Sequence, residues 1–369
     1  MKIVIDYNSL FKNNFSLAYC RYLVNATLYL ETEKSQVEFV GVGDKTSSKK
    51  IALFRSSTNM IVRKSWPGIA GWKIWYYRQL PSILKKTKAD LLITTGIAST
   101  NIQIPQCIWI PEISKEYYLK KDYFAFITAK LPQTLAAAKI IFTNSERNKK
   151  ILGEFQESMH SKLIVIPEVA DENANPILWH EREEIKKSLT TGREYFLVHR
   201  PAISGSVFVN LLKSFSQFKK RQQSNMQLVI TGVEREKEYL QNLEGFKYKS
   251  DVHLFGAGKK MNYEKIMAAA YALLQPAPDE SEMLNSFRRK VPVITSKPAY
   301  PEGIDPNAVL FGNFSMIEDL AAQLMILYKD EKLRNNLVEK GTEISARLTR
   351  KSQADLLWNG IMSAVDHRR

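Results

Sequence analysis

The fold is decided between Met226 and Phe311, where three stretches follow one another: MQLVITG (226–232), DVHLFGAG (251–258) and AYALLQPAPDESEMLNSFRRKVPVITS (270–296). Apolar runs rich in Val, Ile, Leu and Phe recur there about every 20–25 residues, and amphipathic segments separate them. Strands that alternate with helices in this way predict a parallel sheet covered by helices. The chain is therefore expected to be an α/β protein.

The centre of this stretch is QPAPDESEMLNSFRRKVPVITS (275–296). A predicted buried strand, Ala272–Leu274, ends in a loop marked by prolines. An acidic turn then opens a short helix, and a second buried strand, Val293–Thr295, follows. In doubly wound sheets, ligands bind where the carboxyl ends of strands meet the amino ends of helices. We therefore expect the ligand site at this acidic turn.

Length and charge suggest two domains of unequal character. The chain has 369 residues, of which 44% are hydrophobic, enough for two buried cores. The formal net charge is +15. Residues 1–170 hold 24 Lys and Arg against 13 Asp and Glu, and residues 171–369 hold 29 against 25. A positive field of this kind attracts nucleic acid, anionic lipid or phosphorylated substrates, but many soluble proteins are basic without such a partner.

The cysteines and the N-terminus favour a cytoplasmic protein. Cys20 and Cys107 form neither a metal spacing nor a disulfide framework, and the five histidines form no metal spacing either. The chain starts as a strand without a secretory signal. The uncharged run Leu91–Pro111 is long enough to span a membrane, but its prolines and polar residues favour two strands and a loop.

Residues 1–170 carry seven runs of strand length, which predict the strands of a first domain: Lys2–Ile5, Val37–Val42, Asn59–Arg63, Leu91–Thr94, Cys107–Ile110, Ile140–Thr143 and Leu163–Ile166. Residues 171–192 lack sheet periodicity and are predicted as an inter-domain connection with a short helix. Strand–helix units resume in residues 193–348, the predicted second domain. Residues 349–369 are expected to form a final amphipathic helix.

The segment Trp66–Asp90 has two interpretations. It predicts a helix that is interrupted or bent at Pro81, in which Trp72, Trp75, Tyr76 and Tyr77 alternate with basic residues. Such a helix either lies on an anionic membrane or packs its aromatic residues on the sheet and leaves its lysines in water. The second interpretation is the one we favour from the sequence.

Several segments, in order along the chain, resemble motifs of the GT-B glycosyltransferases of family 4, the retaining nucleotide-sugar enzymes also called group 1. SKLIVIPEVADEN (161–173) is similar to the family's "VIPNGVD" exit from the first domain. YFLVHRPAISGSVFVNLLKSF (195–215) is similar to "LYVGRLxxxKNVxxLIxAF", and KVPVITS (290–296) to "GxPVIxS". The likeness covers nearly the whole chain.

The resemblance implies a GT-B fold: two Rossmann-like doubly wound domains, with a C-terminal helix that crosses back toward the first domain. It implies an enzyme of the hexosyltransferase type that moves a sugar from a nucleotide-diphosphate donor to a glycan or lipid-linked acceptor, with retention. No metal or other cofactor is implied, since the chain has no Asp-x-Asp motif. Such a protein would act in the cytoplasm, in peripheral contact with the inner membrane face.

The resemblance also assigns residues. Arg200 fills the position of an Arg that holds the donor diphosphate, and Glu280 that of a Glu that approaches the donor sugar. Asn285 falls where a second Glu binds ribose, and Glu112 matches an acidic residue after a first-domain strand. We take Glu280 and Glu112 as catalytic candidates. The donor site is completed by Ser204, Gly205 and Ser206, where a Gly before a helix lets the backbone approach an anion, and by Gly232. Glu282 could substitute for the second Glu, and Ser286 could, like Asn285, form a hydrogen bond with the ribose.

Several family positions differ, and they leave other hypotheses open. The diphosphate Lys falls near Gly205 or Ser206, Pro111 stands in place of a His, and His199 replaces a Gly. The run Arg288–Lys290 could supply the missing charge. A second hypothesis is therefore a catalytically degenerate GT-B protein that binds a glycan, a nucleotide or a partner. A third is a binder of nucleic acid or membrane surfaces that uses the basic first half.

Overall fold

The structure is a computed structural model that describes residues 1–12, 17–52, 59–95, 97–99, 101–110, 121–154, 161–199, 205–233, 236–256, 262–297, 300–301 and 303–366, without the side chains of residues 11, 12, 17–22, 121–124, 127 and 236. The chain divides into two compact units. The first comprises residues 1–168 and 350–369, and the second comprises residues 169–349.

The first unit contains the seven strands that the sequence predicts, each within one residue of the expected bounds: β1 (Lys2–Asp6), β2 (Glu38–Gly43), β3 (Met60–Val62), β4 (Leu91–Thr95), β5 (Gln106–Trp109), β6 (Ile140–Thr143) and β7 (Leu163–Val165). They form one sheet in the order β3-β2-β1-β4-β5-β6-β7, and every pair is parallel. Strands β4, β5 and β6 are buried along their whole length, which is why they contain, apart from Gln106, only apolar residues and threonine.

Helices connect these strands and cover the sheet: α1 (Tyr7–Lys12), α2 (Leu17–Glu33), α3 (Lys45–Ile51), α4 (Gly68–Ile74), α5 (Leu80–Thr87), α6 (Lys121–Ala137) and α7 (Glu146–Glu154). One π-helical turn, Trp75–Gln79, joins α4 to α5, so that residues 68–87 run as one helix. The irregularity that the sequence predicts near Pro81 is therefore this π-helical turn, and the helix is not interrupted. Pro81 lies at the start of α5 and cannot donate a backbone hydrogen bond to the preceding turn.

The aromatic residues of this helix point into the protein. Trp72, Trp75 and Tyr76 are 5%, 1% and 1% exposed and belong to the core of the first unit. Tyr76 also donates a hydrogen bond to the carbonyl of Thr95. The interpretation in which these aromatics lie on a membrane is therefore wrong, and the packing interpretation is confirmed.

The second unit contains six parallel strands: β8 (Tyr195–His199), β9 (Gln227–Val233), β10 (Val252–Gly256), β11 (Ala272–Gln275), β12 (Val293–Thr295) and β13 (Leu310–Phe311). Their order in the sheet is β10-β9-β8-β11-β12-β13. The helices are α8 (Trp179–Thr190), α9 (Gly205–Gln222), α10 (Glu236–Leu243), α11 (Tyr263–Ala269), α12 (Glu280–Arg288), α13 (Ile317–Lys329) and α14 (Glu331–Arg347). Both units are thus doubly wound α/β folds, as predicted.

Residues 171–192, expected as a connection, lie within the second unit. Their helix, α8, is held there because Arg182 and Lys186 contact the two carboxylate oxygens of Glu194 at 2.7 and 2.9 Å. Ile185 and Leu189 pack against the core. The segment lacks the alternating pattern of a strand because its residues 179–190 form an amphipathic helix of this unit.

The last helix, α15 (Arg350–Asp366), belongs to the first unit although the second unit precedes it in sequence. Its buried residues Ala354, Leu357 and Ile361 join the core of the first sheet, and Gln353 donates a hydrogen bond of 2.8 Å to the carbonyl of Pro167. The predicted crossing of the C-terminal helix back to the first domain is confirmed.

Each sheet has one point where the strand order reverses. In the first sheet it lies between β1 and β4, and in the second between β8 and β11. The helices that follow such neighbouring strands leave the sheet on opposite sides, so a crevice opens at the carboxyl ends of the two strands. These two switch points are where a ligand site is to be sought.

Candidate functional site

The switch point of the second unit is bordered by polar side chains at the ends of its strands. His199 ends β8, and Gln275 ends β11. Thr231 lies in β9 beside His199 and contacts its Nδ1 at 2.8 Å. The His199 ring also stacks on Tyr263, the first residue of α11, with ring centroids 3.5 Å apart. The His199 ring, which stands in place of the family's Gly, is thus held in a fixed orientation by Thr231 and Tyr263.

The acidic turn, Asp279–Glu282, starts helix α12 directly after this strand end. Asp279 is the N-cap, and its side chain accepts a hydrogen bond of 2.8 Å from the backbone N–H of Glu282. A carboxylate at this position accepts a hydrogen bond from a backbone N–H that has no partner within the helix, and its negative charge interacts favourably with the helix dipole. The predicted acidic helix start is therefore confirmed, and it fixes the backbone on which Glu280 and Glu282 lie.

Glu282 is engaged by the protein itself. Its Oε1 accepts a short hydrogen bond from the hydroxyl of Tyr263, and its Oε2 accepts one of 3.1 Å from Nε2 of Gln275. Burial of the Tyr263 phenol, and secondly the negative charge of Glu282, raise the pKa of Tyr263 well above its usual value. Because each carboxylate oxygen already accepts a hydrogen bond from the protein, a ribose hydroxyl would share Glu282 with Tyr263 and Gln275.

Glu280 is in a different state. None of the described residues donates a hydrogen bond to its carboxylate. Gly303 is a neighbour of this carboxylate, since a Cβ added at Gly303 would lie 4.0 Å from Oε1 of Glu280. Burial, and secondly the charge of Asp279, raise the pKa of Glu280 from 4.5 to about 7. A carboxyl group that changes charge near neutral pH beside a strand end is a feature of functional sites.

Two other predicted ribose ligands take part in packing. Oδ1 of Asn285 accepts a hydrogen bond of 2.7 Å from the backbone N–H of Asp171, and the fully buried Ser286 donates one of 2.9 Å to the carbonyl of Val291. The geometry gives Ser286 a structural role. The assignment of Asn285 as a ribose ligand stays a prediction. Since Oδ1 is already bonded to Asp171, the amide nitrogen is the atom that would bind the ribose.

The predicted anion loop is described only from its end. Gly205 and Ser206 open α9 and are exposed, and a Cβ at Gly205 would meet no atom within 4 Å. Gly232 has φ +72°, a left-handed conformation that favours glycine. Arg200, Ser204 and Glu112 lie outside the described residues, so their assignments stay predictions.

The basic run Arg288–Lys290 contributes no common cationic surface. Arg289 is 5% exposed, and its guanidinium contacts Glu264 at 3.3 Å and the carbonyl of Asn285 at 3.2 Å. Arg288 donates a hydrogen bond to the carbonyl of Glu172. The idea that this run replaces the missing Lys is wrong for Arg289, because its charge is already paired inside the unit.

The sequence interpretation missed a polar cluster at the other switch point. Asp6 ends β1 and is 2% exposed. Its carboxylate accepts hydrogen bonds from Nε1 of Trp75 at 3.2 Å, from the hydroxyl of Thr94 at 3.0 Å, and from the backbone N–H groups of Asn8 and Ser9. A cavity of about 20 Å³ lies beside it, which is enough for one water. Burial raises the pKa of Asp6 from 3.8 to about 6, and the hydrogen bonds oppose this rise.

The substitution Asp6→Asn is expected to change how stability depends on pH. The folded protein holds the Asp6 proton more tightly than the unfolded chain, so the contribution of Asp6 to stability falls as pH rises from about 4 to about 6 and stays low above that. The total is up to about 3 kcal/mol, at 1.36 kcal/mol per pKa unit. The unfolding free energy of Asp6→Asn relative to wild type should therefore increase by that amount from pH 4 to pH 7.

Urea denaturation followed by tryptophan fluorescence measures this difference, because five of the six tryptophans lie in the first unit. Asp355→Asn, at an exposed position of α15, is the matched control. Parallel pH profiles for wild type and Asp6→Asn would contradict the assignment.

Among the described residues, no group of three His, Cys, Asp or Glu is placed to hold a metal ion. None of the described helices has the length and apolarity to cross a bilayer.

Comparison with known proteins gives a family and a fold. Residues 181–344 match the family model described as "Glycosyl transferases group 1". This range contains the acidic turn and both strands of the second switch point. A comparison with curated protein sequences found no match.

Three solved structures share the architecture over nearly the whole chain. HepE of Anabaena, solved in complex with UDP, has a TM-score of 0.71 at 13% identity, covering 98% of this chain and 100% of that one. A glycosyltransferase from Rickettsia africae has a TM-score of 0.69 at 14% identity, covering 98% and 97%. WaaG, a glycosyltransferase involved in lipopolysaccharide biosynthesis, has a TM-score of 0.63 at 16% identity, covering 96% and 99%.

Two doubly wound units with a returning C-terminal helix, together with these matches, show that the chain has the GT-B fold. Within this fold, residues 181–344 of the second unit are similar to the family of group 1 glycosyl transferases.

Proposed function

We propose that this protein transfers a sugar from a nucleotide-diphosphate sugar to a glycan or lipid-linked acceptor, with retention of configuration. The observation that carries the proposal is the acidic turn. In this turn Glu280, whose pKa is raised to about 7, opens the helix that follows β11, one of the two strands of the second switch point, in the part of the chain that matches the group 1 model. HepE, which has the same fold, was solved with UDP and with UDP-glucose, and this supports a nucleotide-sugar donor.

In this proposal each group acts on a charge or a hydroxyl. Arg200 would clamp the leaving diphosphate, and the backbone N–H groups at the start of α9, after Ser204, would stabilise its negative charge. Glu280 would accept hydrogen bonds from hydroxyl groups of the donor sugar and so orient it. Glu112 is the acidic candidate of the first unit. Because these groups meet the diphosphate charge, we propose that no metal is required.

The likeness to WaaG supports an acceptor that is a cell-surface glycan or its lipid-linked precursor. A cytoplasmic location at the inner membrane face is part of this proposal.

The second candidate is a catalytically degenerate protein that binds a glycan, a nucleotide or a partner. A specific observation favours it: both oxygens of Glu282 are occupied by Tyr263 and Gln275. In addition, the Ser286 hydroxyl is bonded inside the unit. A donor would then have fewer protein ligands than the sequence suggested.

Thermal unfolding with and without nucleotides separates the two candidates. A ligand at 100 times its Kd adds about 2.7 kcal/mol to the stability of the state that binds it, which raises Tm by roughly 5–10 °C for a domain of this size. We expect this shift with UDP or GDP and their sugars, and its loss in Arg200→Ala. Adenosine is the control ligand. The absence of any shift with UDP, GDP or their sugars would contradict donor binding and leave the scaffold hypothesis.

A further inference from the structure

The start of helix α8 presents two large apolar side chains to solvent. Trp179 is 75% exposed and Leu178 is 64% exposed, the two highest values of any large apolar residue that the structure describes. Their backbone is held in place: one carboxylate oxygen of Glu181 accepts a hydrogen bond of 3.2 Å from the N–H of Leu178, and the other lies 3.4 Å from Nζ of Lys265. Large apolar side chains that are grouped on an ordered surface mark a site of interaction.

Negative charge surrounds these two residues. Residues 168–184 contain six Asp and Glu and a single Arg or Lys, Arg182, whose guanidinium is already paired with Glu194 at 2.7 Å. Glu184 is exposed and forms no ion pair with another described residue. The exposed cation Lys187 follows one turn later, so the negative charge is confined to the first two turns of the helix. The name acidic patch is used below for three residues, Leu178, Trp179 and Glu184.

The first unit carries a second exposed apolar group, and its surroundings are basic. Residues 45–89 contain 11 Lys and Arg and no Asp or Glu. Within this segment, three large apolar residues are 45%, 43% and 47% exposed, namely Val62, Trp66 and Ile69. Arg63 and Lys64 between them are exposed as well. These five residues are called the basic patch. Like the acidic patch, it combines one tryptophan with aliphatic side chains, but its charge is opposite.

The basic patch is also held in place by its neighbours. Ser65 donates a hydrogen bond of 2.6 Å to the Asp44 carboxylate at the start of α3, and Gln79 donates one of 3.0 Å to the carbonyl of Lys64. Gly71 packs so closely that a Cβ there would lie 2.0 Å from the carbonyl oxygen of Trp66. A surface whose backbone is already fixed loses little conformational entropy when it binds, which favours association.

We propose that the acidic patch of one copy of this chain binds the basic patch of a second copy. The apolar side chains of the two patches cover one another, and the carboxylate of Glu184 approaches Arg63 and Lys64. Tryptophan is enriched at the centres of protein interfaces, where it contributes much of the binding energy, and complementary charge around it selects the correct partner.

Charge complementarity indicates a second copy, and it also indicates which patches meet. Two basic patches, or two acidic patches, would bring like charges together, so a contact between identical patches is disfavoured. A contact between the two different patches is heterologous, and every copy of the chain offers both halves of it. The proposal does not involve the donor site, so a negative result with nucleotides leaves it unaffected.

Sedimentation velocity on the full chain tests the proposal. A range of about 1–200 μM covers the micromolar affinities that are found for interfaces of modest size. We expect the sedimentation coefficient to rise with protein concentration. Added salt should weaken the association, because it screens exposed charges.

Two double variants each remove the apolar residues of one patch. Leu178→Ser with Trp179→Ser, and Trp66→Ser with Ile69→Ser, should each weaken self-association about 30-fold or more, the loss expected for one residue that dominates an interface. An equimolar mixture of the two variants should nevertheless form a one-to-one complex. The first variant keeps its basic patch and the second keeps its acidic patch, so one contact remains, and no larger species can grow from it.

Charge reversal tests the electrostatic part. In Arg63→Glu with Lys64→Glu, the apolar residues remain but the charge of the basic patch is inverted. Association should weaken, and added salt should then strengthen it, because the charges that it screens now repel. Lys213→Glu with Lys220→Glu, at exposed positions of α9, is the control for net charge. Leu240→Ser and Met316→Ser, at apolar positions 45% and 54% exposed outside both patches, are the controls for apolar surface. All three controls should associate as wild type does.

Three outcomes would overturn the proposal. They are a wild type that stays monomeric over the whole range, self-association that neither apolar variant weakens, and a mixture of these variants that stays monomeric although wild type associates. Thermal unfolding of each variant checks folding. If an apolar variant is unstable, Glu184→Lys and the variant with Arg63→Glu and Lys64→Glu replace the pair in the mixing experiment, with the same expected one-to-one complex.

Discussion

Glu280→Gln is expected to lower the rate of donor turnover, followed as sugar transfer or as slow hydrolysis of the nucleotide sugar, about 100- to 1000-fold. The affinity for UDP should stay within a few-fold of wild type. The reason is that Glu280 is proposed to contact the sugar, whereas Arg200 and the start of α9 are proposed to hold the diphosphate. A glutamine retains the shape of the side chain but carries no negative charge with which to orient the sugar hydroxyls.

The pH profile gives a second test of the same substitution. The pKa of Glu280 is raised from 4.5 to about 7 by burial and by Asp279. The ionised form is the one proposed to act, so the turnover of wild type should rise with pH between about 6 and about 8. In Glu280→Gln this rise should be absent, because the group that titrates has been removed.

Glu318→Gln is the matched control, since Glu318 is an exposed acidic residue in the first turn of another helix of the second unit. It should behave as wild type. Wild-type turnover in Glu280→Gln would exclude Glu280 from the reaction. Equal loss of UDP affinity and of turnover would move Glu280 from the sugar to the nucleotide.

Leu357→Ala is expected to destabilise the first unit by about 3–5 kcal/mol. Leu357 lies in α15, is fully buried, and belongs to the core of the first sheet. The adjacent packing is tight: a Cβ at Gly360 would lie 2.5 Å from Cε1 of Phe142. Because the neighbours are held so closely, they cannot collapse into the space that the leucine leaves, which places the loss at the upper end of the usual range.

Leu356→Ala provides the control within the same helix. Leu356 is 39% exposed, so its truncation should change stability by less than about 0.5 kcal/mol. Urea denaturation read by tryptophan fluorescence measures both variants. If the two variants were equally stable, the docking of α15 on the first unit would be wrong.

The candidate site shows which of its features a sequence pattern can predict. The acidic turn was predicted because it follows an apolar strand and precedes a helix, and Asp279 caps that helix in the structure. The partners of Glu282 were not predictable from the sequence. Tyr263 and Gln275 are 19 and 7 residues from Glu282, and only the sheet brings them to it. Asp6 gave one weak signal, an acidic residue at the end of the strand KIVID.

The sequence alone determined the parallel α/β architecture and the positions of the strands, because a strand covered on both faces must be apolar along its whole length. It also determined the acidic helix start and the separation of charge along the chain. The tertiary structure decided which side chains remain available. It engaged both oxygens of Glu282, left Glu280 without a described hydrogen-bond donor, and turned the tryptophans of the helix at 68–87 inward while its cations face outward. The physical reason is that periodicity fixes which residues share a face, whereas burial and hydrogen bonding depend on which distant segments pack against that face.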